Sequence, residues 1–162
     1  MNIPAKSLST IQDRPGELDL PVFFPYQVRA FYRAVSDAVA VAYSSKYGLT
    51  ASEWRTMAIL GPEKSLTAGE IVARSTMDKV NVSRAVKGLQ AHGFLIRNID
   101  DNDKRRSLLK LTENGATVFL ELIPAVKLVE QDCLNGLNSN ERDILCSLML
   151  RVQQNAEKIP QG

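Results

Sequence analysis

The chain has 162 residues, 44% of them apolar and 23% charged, values close to those of an average globular protein. That balance excludes a disordered polymer, and no run approaches the roughly 18 uncharged apolar residues that a membrane span needs. The net charge is only +2, yet residues 64 to 110 carry ten basic and five acidic side chains, a local +5 that leaves −3 for the flanks. Positive charge gathered on one middle segment suits a surface that faces phosphate.

Residues 1–20 mix Lys6, Asp13, Arg14, Glu17 and Asp19 with Pro4 and Pro15 and lack a signal-peptide apolar core. They predict a disordered start to a cytoplasmic protein. Phe24, Val28, Phe31, Val35, Val39 and Ala42 then step by three or four, which predicts a long first helix within 21–48, ended by Gly48. Thr50 caps a second helix containing Trp54, Met57 and Leu60, closed by Gly61-Pro62. After Leu66-Thr67, a short helix from Ala68 to Arg74, the break Ser75-Thr76-Met77 and a helix from about Asp78 to His92 give helix, tight turn, helix. Gly93 stands where a left-handed cap falls.

Two β-prone runs, Phe94 to Asn98 and Ser107 to Leu111, flank the charged link Asp100 to Arg105, predicting a hairpin with a basic tip. Thr112 caps a long helix on which Val118, Leu122, Val126, Val129, Cys133 and Leu137 form a stripe, with Pro124 a kink inside it rather than a boundary. Phe119, Leu120, Ile123, Ala125 and Leu128 make that helix apolar on other sides, more than so small a monomer can cover, so burial against a second copy is expected. Asn138-Ser139 starts a last helix striped by Ile144, Leu145, Leu148, Met149 and Val152. The fold class is thus mainly α, a winged helix-turn-helix of six helices and a small β-hairpin wing. Residues 49–112 are its reading domain, and 21–48 and 113–162 its dimerisation helices.

A helix that enters the major groove needs small or polar side chains at its start and longer cations beside them. Thr76, Asp78, Lys79, Asn81, Ser83, Arg84 and Lys87 supply that mix. Arg105 at the hairpin tip suits the minor groove, with Lys104 and Arg106 on the flanking phosphates. Either element alone reads as an ordinary solvated surface; together, in this order, they point much more specifically to double-stranded DNA. The alternative is a winged-helix protein-interaction module without sequence-specific DNA binding. One histidine, no nucleophile elbow and no phosphate loop argue against an enzyme, and neither a metal site nor a cofactor is expected. Cys133 and Cys146 read as buried free thiols, with a redox sensor the alternative, and His92 as a helix-end or packing residue.

The stretches YGLTASEWRTMAIL, SLTAGEIVARSTMDKVNVSRAVKGLQAHGFLIR and DNDKRRSLLKLTENG, spanning about residues 47 to 115, resemble the MarR family of bacterial winged-helix regulators. The resemblance implies homodimers whose terminal helices interlock and which read a pseudo-palindromic DNA operator, with DNA contact from the helix spanning Asp78 to Lys87 and a wing in which Asp103 pairs with Arg105. Asp101 and Asn102 stand where many members have Pro and Arg, and the first helix lacks the cysteine of the peroxide-sensing branch. Many relatives bind small aromatic or phenolic acids beside the dimer helices and release DNA. The corresponding lining here is Tyr26, Arg29, Arg33, Trp54 and Met57, so a repressor relieved by such an acid is expected. Trp54 reads first as a core anchor and only second as a ligand contact, and Arg33 reads also as the exposed i,i+4 partner of Asp37.

Overall fold

The computed structural model describes residues 18–63, 65–99 and 107–160. After a single 3-10 turn at Leu20–Val22, α1 runs Phe24–Tyr47, with Pro25 in its first turn, where a missing N–H costs nothing. Each following helix starts at a side chain able to accept the first free backbone N–H groups. Thr50 caps α2 (Ala51–Leu60) and Thr67 caps α3 (Ala68–Arg74), each with a glutamate three residues on that returns to the cap N–H at 2.7 Å. Asp78 caps α4 (Lys79–Ala91), Thr112 caps α5 (Glu113–Cys133), and Asn138 with Glu141 caps α6 (Ser139–Glu157).

Strands β2 (Leu95–Ile99) and β3 (Ser107–Leu111) form the expected hairpin, pairing Leu95 with Leu111 and Arg97 with Leu109. A third strand, β1 (Leu66–Thr67), adds antiparallel to the other edge of β3, giving the order β1-β3-β2. At two residues it is too short to show a periodicity of its own. Gly93, at φ +71°, makes the left-handed turn from α4 into β2. The core lies where α2, α3, α4 and the sheet converge, with Met57, Ile71, Val86 and Leu89 completely enclosed. Tyr43, Val118 and Leu122 join α1 and α5 to it.

Pro124 lies within an uninterrupted α5, as its spacing predicts. The stripe does not run on to Leu137, however: α5 stops at Cys133, and Gly136 at φ +85° turns the chain toward α6. Cys133 and Cys146 are exposed rather than buried: Cys133 is the last residue of α5, beyond the part of its stripe that Val118 and Leu122 bury, and Cys146 lies on α6, none of whose residues is buried. No residue of α6 is buried; Ile144, Leu148, Met149 and Val152 are 42–52% exposed. Phe24, Val28 and Phe31 on α1 are likewise open. These two terminal faces are apolar without cover from their own chain. Among the described residues no helix is long and apolar enough to cross a membrane.

Candidate nucleic-acid interface

The reading helix is fixed from behind. Its buried residues Val82, Ala85, Val86 and Leu89 pack on the core, and α2 lies against the same side. The approach is close at Gly88, where a Cβ would stand 1.8 Å from Oε1 of the buried Glu53. Gly88 and Glu53 are therefore positioning residues for α4. Their distance in sequence hides the contact from any periodicity argument. The turn before the helix is held by Ser75, whose Oγ accepts the Met77 N–H at 3.2 Å while the Met77 side chain is buried.

At about 100° per residue, the direction opposite the buried face of α4 falls on Val80, Ser83, Arg84 and Lys87. All four are exposed, as are Thr76, Lys79 and Asn81. Among the described residues, Lys79, Arg84 and Lys87 have no acidic partner. Lys79, in the first turn, adds its charge to the positive end of the α4 dipole. Asp78 and Asn81 are less free than their sequence suggests. One Asp78 oxygen accepts the Asn81 N–H at 2.7 Å and the other accepts its side-chain amide at 2.9 Å, so this pair primarily caps the helix.

In the sheet, Arg97 and Lys110 extend the exposed basic surface. The tip residues Lys104, Arg105 and Arg106, with Asp103, lie outside the described residues. The base of the wing is tied to α5. Thr112 donates its N–H to the Phe94 carbonyl at 3.0 Å and its hydroxyl to the Gly93 carbonyl at 2.8 Å. His92, beside this junction, stacks on Phe94 at 5.5 Å, a packing role at the helix end.

The aromatic residues expected to line a ligand cleft are arranged differently from their sequence grouping. Met57 is fully enclosed in the core and lines no surface. Arg33 pairs with Asp37 at 3.5 Å, both fully accessible, and Arg29 is exposed on α1. Tyr26 is half-buried on that same stripe. Trp54 stacks on Tyr43, with ring centres 5.9 Å apart, and tilts against Phe119, so it anchors α2 between α1 and α5. What meets α2 from α1 is Tyr32 and Tyr43, about 75° around the helix from the Tyr26–Arg29–Arg33 stripe. Arg55 Nη2 donates to the Tyr32 hydroxyl at 2.6 Å, with its guanidinium 6.0 Å from that ring. Hydrogen bonds from Arg55 and Ser36 hold the Tyr32 phenol below its ordinary value, whereas burial raises that of Tyr43. Arg55 also has no acidic partner among the described residues. Farther along α1, Glu121 accepts from Lys46 Nζ at 2.7 Å and from the Tyr47 hydroxyl, a surface clasp between α1 and α5.

A three-stranded sheet and a helix pair with an outward cationic face, carried on terminal helices, define a winged helix-turn-helix protein. Residues 47–106 match the family model described as the MarR family. The chain is similar to the HTH-type transcriptional repressor NicR of Pseudomonas putida, 23% identical over 64% of this chain and 66% of that one. It is similar also to the HTH-type transcriptional regulator YkoM of Bacillus subtilis, 29% identical over 76% of this chain and 79% of that one. Among solved structures, that of BpsR from Bordetella bronchiseptica superposes with a TM-score of 0.76 at 21% identity, covering 85% of this chain and 98% of the other. That structure concerns regulation of BpsR DNA binding by 6-hydroxynicotinic acid.

Proposed function

We propose that the protein is a homodimeric repressor that reads an inverted-repeat operator with α4 and the wing, and that a small aromatic acid releases it. The observation that carries the DNA-reading part is the face of α4 opposite the core, where Arg84 and Lys87 are exposed and, like Lys79 at the start of the helix, unneutralised among the described residues. A protein-docking helix of the same charge needs no two-fold partner, whereas the bare apolar faces of α1 and α6 call for one. Two-fold pairing puts two copies of α4 about one turn of DNA apart, roughly 34 Å. Footprinting on the neighbouring promoters should show a symmetric protected site with that spacing. Protection without symmetry, or none at all, rejects the reading.

For the effector, the likeness to BpsR suggests an aromatic carboxylic acid, and the chemistry around Arg55 supports the same class. A guanidinium without an acidic partner takes the carboxylate, and the neighbouring Tyr32 ring offers a face for the aromatic body. In this reading Arg55 and Tyr32 take the place of the buried Met57 in the set grouped on sequence grounds, Tyr26, Arg29, Arg33 and Trp54 being its other members. A thermal-shift series of aromatic acids, 6-hydroxynicotinic acid included, should raise the melting temperature of the dimer and lower DNA occupancy for at least one member. Arg55→Ala should abolish both effects. A ligand shift that survives this change places the acid elsewhere.

A further inference from the structure

Val80 is 57% exposed in a helix whose other valines, Val82 and Val86, are 1% and 0% exposed. An isolated exposed valine is ordinary on a protein surface. Val80 is set apart by its place. It is the second residue of α4, at the end of a reading helix that enters the groove, and it points directly away from the buried face. Around it stand Lys79, Ser83, Arg84 and Lys87, all polar, so it joins no apolar patch and covers no neighbour. A β-branched residue is also a poor choice for an exposed helical position on propensity grounds. Among the described residues nothing rewards it.

In the major groove, three of the four bases present only donors and acceptors, and thymine alone adds a methyl group at C5. An isopropyl group pressed against donor and acceptor edges strips water from them and returns no hydrogen bond, which is unfavourable. Against the thymine methyl it buries apolar surface on both sides. Resting on the DNA-reading role argued above, we propose that Val80 is a specificity residue that packs its γ-methyl groups on the C5 methyl of one thymine in each half-site. Arg84 and Lys87, one and two turns further along the same face, then supply phosphate contacts that hold α4 in register without reading sequence.

The test begins with the full-length dimer and a library of randomised duplexes. Wild type should enrich an inverted repeat with a thymine at one symmetry-related position of each half-site. Replacing that thymine by deoxyuridine, which removes the methyl and leaves the pairing edge, should weaken wild-type binding roughly fourfold per half-site, the equilibrium worth of burying one methyl-sized group. Val80→Ala should bind the thymine and uracil duplexes equally and lose the preference at that position alone. Val80→Thr, which keeps one γ-methyl, should retain it. Because Val80 is exposed, both variants should melt within a degree or two of wild type, which separates recognition from folding. A selected inverted repeat in which no thymine is methyl-sensitive, or in which Val80→Ala remains as methyl-sensitive as wild type, overturns the Val80 assignment and leaves DNA reading intact. Failure of wild type to enrich any symmetric sequence overturns the DNA-reading role and the Val80 assignment with it.

Discussion

Gly115 is the third residue of α5, where the helix leaves the sheet, and a Cβ built there would lie 2.0 Å from the Phe94 carbonyl oxygen and 2.8 Å from its carbon. Those atoms are backbone, in the turn between α4 and β2, so an alanine cannot be relieved by moving a side chain. Either the junction opens or the strain remains. Overpacking costs about 1–3 kcal/mol. Opening the junction also removes the Thr112 N–H bond to Phe94 and the Thr112 hydroxyl bond to Gly93, each worth about 1 kcal/mol. The gain in helix propensity from glycine to alanine offsets about 1 kcal/mol. Gly115→Ala should therefore lose about 2–4 kcal/mol in urea unfolding followed by circular dichroism, at a fixed protein concentration so that dimerisation contributes equally. Gly69→Ala provides the contrast, since its nearest neighbour would be 3.9 Å away, and it should be neutral or stabilising by up to about 1 kcal/mol. If Gly115→Ala unfolds within about 0.5 kcal/mol of wild type, the close approach does not hold the wing to α5 and the reasoning fails.

Arg84→Ala and Lys87→Ala should each weaken binding to any duplex alike. With two copies per dimer, each should flatten the slope of log K against log salt by about 1.8, since one phosphate contact contributes about 0.9; an unchanged slope removes that residue from the phosphate set. Asp78→Ala deletes the α4 cap and should cost about 1 kcal/mol in unfolding, with a larger loss of DNA affinity than of stability because the groove-facing end of the helix frays. Leu148→Glu places a charge in the bare stripe of α6 and should convert the dimer to monomers in sedimentation; a dimer of unchanged affinity locates the interface elsewhere.

The helices were legible because their starts are local chemistry. Thr50, Asp78, Thr112 and Asn138 sit at the boundaries that short-range hydrogen bonding dictates, and Gly93 turns the chain where it must. Less local features were not. β1 exists only because β3 offers it an edge. The Gly88–Glu53 and Gly115–Phe94 approaches join residues 35 and 21 positions apart, and no periodicity reports them. The ligand-lining set went astray at Met57 and passed over Tyr32 and Arg55 for the same reason. A rotation of 75° about α1 decides which stripe meets α2, and only packing fixes that rotation. The cysteines show a further limit, since an apolar helical pattern does not say where along the helix the cover ends: Val118 and Leu122 are buried, whereas Cys133, at the end of the same helix, is not. Val80 needed no structure beyond the helix itself, because its angle from Val82, Val86 and Leu89 follows from 3.6 residues per turn.

The contact between α1 and α2 can be tested through proton binding. Arg55 and Ser36 hydrogen-bond the Tyr32 hydroxyl and favour its ionised form, so the phenol of the folded protein titrates below the ordinary 10.0. The sign follows from linkage. A folded-state value below the unfolded one means that the unfolded chain holds the proton to higher pH, so the contact contributes stability that is fully present above 10 and is lost as pH falls through the folded value. Because Tyr32 is more than half exposed, solvent screens the interaction, and the midpoint of its titration is a more direct readout than unfolding energy. An ultraviolet difference titration of wild type against Tyr32→Phe should isolate a phenolate that forms before the bulk of the tyrosines. Arg55→Ala should move that signal upward, toward the ordinary phenol range. An aromatic acid that takes the Arg55 guanidinium should do the same, because a bound carboxylate both removes the donor and adds negative charge beside the phenol. A Tyr32 signal that is indifferent to Arg55 would mean that the hydrogen bond between α1 and α2 does not persist in solution.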